Sequence, residues 1–274
     1  MALQVHALAS GAGWSVSDVV CTAGPHDPPF EERHHAACIA AVTQGTFQYR
    51  SRRGSAVLAP GSVLLGNEGA CFECGHEHAT GDRCLSFHFA PDHLEEVAAA
   101  VPGARQTMFA VPNLPPLPSL LRLVAAAEAA RDDGAALEEL ALRVAGAVIA
   151  VLVDPPKAMP APNARDARRV TEALRRIEAG ASEPLTLAEL ARAAAMSSYH
   201  FLRTFRQLVG MTPYQFVLRT RLHRAAVRLR RSDVPISTIA FDAGFNDLST
   251  FNRRFRRLMG ASPRIYRAQG RMAS

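Results

Sequence analysis

Between Leu187 and Tyr266 the chain repeats itself at a spacing of fifty residues: Phe201, Phe205, Leu208, Gly210, Pro213 and Phe216 recur as Phe251, Phe255, Leu258, Gly260, Pro263 and Tyr266. The glycines and prolines forbid one continuous helix, and aromatics at i and i+4 mark one buried face in each copy. Each copy therefore reads as a short helix, a tight turn and a second helix. Two such units on one chain imply two adjacent contacts with DNA.

Local signals place the helices. Asn163 to Ala179 reads as a helix stopped at Gly180, and Thr186 with Glu189 forms a capping box for Leu187 to Ala194. Ser197 or Ser198 caps the next helix, which runs to Val209 and is ended by Gly210. Pro213 suits the first turn of a long helix, Tyr214 to Arg231, that separates the copies. The second unit repeats the plan as Ile236 to Ala243, a turn at Gly244, and Leu248 to Met259 ended by Gly260.

Charge is divided unevenly. Residues 163–274 hold 21 Arg against 8 acidic residues, a net of +13, whereas residues 1–162 hold 10 basic and 17 acidic residues, a net of −7. A biased genome explains Arg in place of Lys, but not the shortage of acids in one half, so a polyanion partner is expected at the C-terminal end. In the first reader helix the apolar side leaves Tyr199, His200, Arg203, Thr204, Arg206 and Gln207 outward. In the second it leaves Ser249, Asn252, Arg253, Arg256 and Arg257. Arg pairs with guanine and Asn with adenine in the major groove, and Arg203 and Arg253 occupy equivalent positions in the N-terminal halves.

The segments Leu187 to Ala191, Met196 to Phe205, Gly210 to Pro213, Ile239 to Phe255 and Gly260 to Pro263 closely resemble the AraC/XylS family of bacterial transcription regulators. The resemblance covers about a hundred residues and is most specific in the second unit. It implies two helix-turn-helix units joined by the long helix and reading successive major-groove faces of promoter DNA, with RNA polymerase as a further partner. Carried over by position, DNA contacts fall to Tyr199, His200, Arg203 and Thr204 in the first helix and to Leu248, Ser249, Asn252 and Arg253 in the second. Leu248 departs from the polar residue some members have there, and contact with a thymine methyl is its remaining role.

The copies differ at the turn. Ile236, Ile239 and Ala240 follow Leu187, Leu190 and Ala191 by 49 residues, whereas everything from Tyr199 onward is offset by 50, so the second turn holds one extra residue. Gly244 is free to take positive φ, and its counterpart Ala195 is strained there. The two turns are expected not to superpose closely.

Residues 36–89 show short apolar runs punctuated by Gly45, Gly54 and Pro60-Gly61, the spacing of a small barrel or sandwich. This half resembles the cupin-type barrel with which many family members sense effectors. Leu117 to Val153 reads as two helices broken near Asp132-Asp133-Gly134. The second carries Leu140, Val144, Ala147, Val148 and Val151 on one face, suited equally to covering its own barrel or to a homodimer contact. The fold expected is thus α+β: a cupin-like β-barrel with a helical hairpin over residues 1–153, a linker over 154–164 that is proline-rich between Asp154 and Pro162, and an all-α double helix-turn-helix domain over 165–274.

The distinctive content of the barrel is Cys71-Phe-Glu-Cys74-Gly-His76-Glu-His78, followed by Cys84. Cys71, Cys74, His76 and Cys84, with His78 as an alternate, have the donor types and approximate spacing of a tetrahedral site for Zn²⁺ or another thiophilic ion. Cys21, Cys38, His34 and His35 are further residues able to converge there. Two other readings stay open: a thiol sensor in which Arg83 lowers the Cys84 thiol, and buried cysteines with the small effector bound elsewhere in the barrel. The absence of a signal-like N-terminus or an apolar run of about 18 residues predicts a cytoplasmic protein without a membrane span, with reduced thiols. A metal-dependent cupin enzyme, suggested by His76-x-His78, and a zinc-cysteine self-alkylating repair regulator are the alternatives to a regulator without catalytic activity.

Overall fold

The computed structural model describes residues 3–24, 26–76, 81–154 and 163–272, with side chains to residue 269. The N-terminal half is built from strands β1 (Leu3–Gly11), β2 (Trp14–Cys21), β3 (Phe30–Arg33), β4 (Ala37–Gly45), β5 (Phe47–Ser51), β6 (Gly54–Leu58), β7 (Val63–Gly66), β8 (Cys71–Gly75), β9 (Asp82–Phe89) and β10 (Asn113–Leu114). They form two antiparallel sheets, β1-β2-β9-β4-β7-β10 and β3-β8-β5-β6. This is the cupin-like barrel expected, enlarged by β1 to β3, which precede the segment where strand spacing was legible.

The central strands of the large sheet, β4, β7 and β9, are buried on both faces. Cys38, Ala40 and Val42 of β4 meet Tyr49, Leu58 and Cys74 of the small sheet inside the barrel. Ile39 of β4, with Leu85, Phe87 and Phe89 of β9, points the other way, onto helices α1 (Pro91–Ala99), α2 (Pro118–Ala129) and α3 (Gly134–Val153). Double burial explains why β4 reads as an unbroken apolar run rather than an alternation. Leu140, Val144 and Val148 of α3 are buried in this core, and Ala147 and Val151 pack partly against it. The apolar stripe thus covers its own barrel.

The C-terminal half consists of α4 (Ala164–Gly180), α5 (Leu187–Ala193), α6 (Ser198–Val209), α7 (Pro213–Arg231), α8 (Ile236–Asp242), α9 (Leu248–Met259) and α10 (Pro263–Met272). Of the expected linker, residues 155–162 lie outside the described residues, and α4 begins at Ala164 under an Asn163 cap. The repeat is visible in the cores. Phe201, Phe205 and Phe216 stack in the first unit, with centroid distances of 5.6 and 6.0 Å, and Phe251, Phe255 and Tyr266 in the second, at 5.4 and 5.3 Å. Edge and tilted geometries of this kind are favoured by the ring quadrupoles.

The turns resemble each other more than expected. Ala195 adopts φ +49° and Gly244 φ +85°. In both turns the following amide reaches back across the helix end, from Met196 to the Ala191 carbonyl (3.0 Å) and from Phe245 to the Ala240 carbonyl (3.1 Å). The hydrogen bond that closes the helix end holds Ala195 in the left-handed region despite its Cβ. The extra residue of the second copy is Asn246, between this closure and the Asp247 cap of α9.

The halves are joined by apolar and polar contacts. Leu121 and Ala125 of α2 enter the core of the second unit, and Ala59 enters that of the first. Glu128 of α2 receives His223 of α7 at 2.8 Å. Burial pushes the Glu128 carboxyl up, but the His223 hydrogen bond and neighbouring arginines outweigh it and leave it below its usual range. No helix among the described residues is long and apolar enough to cross a membrane.

Candidate nucleic-acid interface and the cysteine-histidine cluster

The reader helices are placed by caps and by their apolar stripes. Ser197 accepts the His200 amide at the start of α6, and Asp247 accepts the Thr250 amide (2.7 Å) at the start of α9. Left-handed Gly210 and Gly260 end them. Around the buried stripe of α9, the side chains of Leu248, Ser249, Asn252, Arg253, Arg256 and Arg257 are exposed. Leu248, Asn252, Arg253, Arg256 and Arg257, joined by Arg264 of α10, line an open cleft of about 1070 Å³. A surface with Arg and Asn near the helix start and further arginines beside them suits base edges flanked by phosphates.

The first reader departs from its expected face at Thr204, His200 and Gln207, the last half-buried. Tyr199, 77% exposed, and Arg203 point outward, as do Arg206 and the Ser198 side chain. Thr204, expected outward, is only 2% exposed. It lies three residues after Phe201 and beside Phe205, so it falls within the buried stripe and has no access to a base. His200 is half-buried, and its Nε2 lies 2.9 Å from Asp166 Oδ2 of α4. Its ring is held by the protein rather than extended from it. This partner lies 34 residues away and left no local sequence signal.

The expected metal set is not assembled. Cys71 and Cys74 sit on strand β8, where residues i and i+3 project to opposite faces, so the pair cannot close on one ion as a Cys-x-x-Cys turn would. Cys74 and Cys84 are buried in the barrel core, and burial pushes both thiols well above their ordinary range. Arg83 does not lower Cys84, because its guanidinium is held by Asp18 (2.5 and 2.9 Å). His78 lies outside the described residues.

Of the other cluster residues, His34 bonds Tyr49 (3.0 Å), while Cys38 contacts Ser86 (3.4 Å) and is pushed by burial to about 11. What the fold does bring together is Cys21, His76 and Asp82, with one ligand atom of each within 4.8 Å of the others. His76 Nε2 is 2.6 Å from Asp82 Oδ2. Burial lowers the His76 proton affinity, but Asp82 and Cys21 outweigh it and raise the pKa to about 9.

The chain matches the helix-turn-helix domain family over residues 190–269 and the AraC-like ligand binding domain family over residues 20–145. It is 37% identical to the probable transcriptional regulator LumQ of Photobacterium leiognathi, over 33% of this chain and 36% of that protein. It is 31% identical to the transcriptional activator AarP of Providencia stuartii, over 36% of this chain and 73% of AarP. The regulatory protein SoxS of Escherichia coli K12 is 35% identical, over 31% of this chain and 79% of SoxS. The match thus spans most of the two latter proteins and about a third of the first.

Proposed function

Because this chain belongs to the AraC/XylS family of transcription regulators, we propose that it binds promoter DNA sequence-specifically through α6 and α9, in the cytoplasm, under control of a signal received by the barrel. The observation that carries the reading is the pair of capped helices with exposed N-terminal halves, Tyr199 and Arg203 on one and Leu248, Ser249, Asn252 and Arg253 on the other. The net charge of +13 over residues 163–274 supports it, since phosphate neutralisation dominates affinity. Packing of α2 against α7 and α9 gives the barrel a mechanical hold on the readers.

The test is a gel-shift titration against genomic fragments at several salt concentrations. A preferred fragment with steeply salt-dependent affinity is expected; equal binding to all fragments, with or without cell extract as a source of effector, overturns the reading. Base-resolved binding should then show Arg253→Ala losing about 1–3 kcal/mol of discrimination at one base pair, and Arg203→Ala doing so about one helical turn away. Uniform weakening across all sequences would make these phosphate contacts instead.

A further inference from the structure

We infer that Cys21, His76 and Asp82 form a site for a thiophilic divalent ion, with Zn²⁺ as the best match, and that its occupancy is communicated to the DNA-binding half through Gly45 and Glu178. Cys21 ends β2 and Asp82 opens β9, and the two are direct partners across the ladder, so their side chains share a face. His76 follows β8 of the opposite sheet, so the site closes one end of the barrel. The three ligand atoms fall within 4.8 Å of one another.

The donors are buried, with side-chain exposures of 1% for His76 and 8% for Asp82, and Cys21 is also buried. His76 Nδ1, inaccessible to water, has no hydrogen-bond partner among the described residues, an arrangement seldom left unanswered in a protein interior. Sulfur, nitrogen and oxygen donors together suit Zn²⁺ and not the all-oxygen preference of Ca²⁺ or Mg²⁺. Zn–ligand lengths of about 2.0–2.3 Å place tetrahedral donors roughly 3.3–3.8 Å apart, so shifts of an ångström or two convert the present cluster into a first coordination shell. Cys84, whose Sγ is 3.5 Å from Asp82 Oδ1, is a further donor beside the cluster.

The site adjoins the junction between the halves. Asp82 is also the ladder partner of Gly45. Gly45 has φ +77°, and a Cβ there would lie 2.4 Å from the Gly81 carbonyl oxygen and 2.6 Å from the Asp82 Cα, so the two backbones are in contact. The Gly45 amide and the Thr46 hydroxyl donate to the Glu178 carboxylate of α4, at 2.9 and 3.1 Å. A shift of Asp82 on binding an ion therefore bears directly on α4, and the coupling is reciprocal.

The ion site stands without the DNA-binding reading; the coupling rests on it, and the experiment separates them. Full-length reduced protein, purified without chelator and examined by native mass spectrometry, should carry one zinc equivalent. Cys71→Ser should keep it, and Cys21→Ser should lose it or weaken it at least tenfold against a chromogenic chelator. Wild-type protein loaded with Co²⁺ should show thiolate-to-metal charge transfer and tetrahedral visible bands, a readout that needs no variant to fold. No metal under any loading condition, zinc held with undiminished affinity by Cys21→Ser, zinc lost from Cys71→Ser, or Co²⁺ without thiolate absorption each overturns the site. Removal of zinc should change affinity for the preferred DNA fragment at least fivefold. Glu178→Gln should keep the zinc and abolish that difference. Equal affinity of the zinc-loaded and zinc-free proteins overturns the coupling alone.

Discussion

Replacement of Asp18 by alanine is expected to cost about 3–5 kcal/mol of folding stability, because it strands a buried guanidinium. Asp18, on β2, is gripped by Arg83 of β9 and by Arg131 of the turn that follows α2, and the Arg131 side chain is 7% exposed. The triad therefore ties the outer sheet to the helical cover. Burial pushes the Asp18 carboxyl up, but the two guanidiniums outweigh it and hold it at about 2. Since the folded-state pKa lies below the unfolded value of 3.8, this contribution is present above that pH and is lost as pH falls towards 2. It amounts to about 2 kcal/mol. Chemical denaturation of wild type and Asp18→Ala at neutral and acid pH measures both effects. A loss below about 1 kcal/mol at neutral pH would mean that water reaches Arg131 once the carboxylate is gone. The double change Asp18→Leu with Arg131→Met should be far milder than Asp18→Ala, because no charge is left buried.

The second large effect is expected at Gly244, and its counterpart Ala195 should respond in the opposite sense. At φ +85° an L side chain is strained, and a Cβ on Gly244 would sit 2.2 Å from the Ser182 carbonyl oxygen, a backbone atom with little freedom to retreat. Gly244→Ala should cost about 1–2 kcal/mol from conformation and about 1–3 kcal/mol more from overpacking. It also disturbs the Gly244 carbonyl, which accepts Arg221 Nη1 at 2.6 Å. Ala195→Gly removes the conformational strain at φ +49° and adds unfolded-state entropy. Its net effect should lie between zero and about 1 kcal/mol of stabilisation. Thermal unfolding of both variants decides: Gly244→Ala tolerated within about 0.5 kcal/mol, or Ala195→Gly destabilising by more than about 1 kcal/mol, contradicts this account.

The reader half was legible to within a residue at most boundaries because its signals are local. The Thr186–Glu189 capping box, the Pro213 first turn and left-handed Gly210 and Gly260 are all set by neighbours a few positions away. The aromatic stripes of α6 and α9 follow the helical period and predicted the buried faces, except at Thr204 on the border of the stripe. The strain expected at Ala195 is present, at φ +49°, and is imposed from outside the local sequence. Propensity disfavours the left-handed region for alanine, yet the closing hydrogen bond and the packing of α5 on α6 impose it.

The barrel was legible in kind but not in content. Turn residues betrayed β4 to β7, while β1 to β3 and the partners of each cysteine depend on pairings between strands far apart in sequence. Short spacing favoured a Cys71–Cys74 pair, and strand geometry separates those thiols; Cys21 and Asp82, 61 positions apart, are ladder neighbours. By itself, then, the sequence determined the two helix-turn-helix units, their caps and the exposed arginines and asparagine, because these follow from helical periodicity and chemistry within one turn. Only the tertiary structure decided that Thr204 is buried, that His200 answers to Asp166, and that Cys21, His76 and Asp82 meet beside the contact with α4. Each of those outcomes is a distance between elements, set by which strands pair and which helices pack, and no local pattern of residue types encodes it.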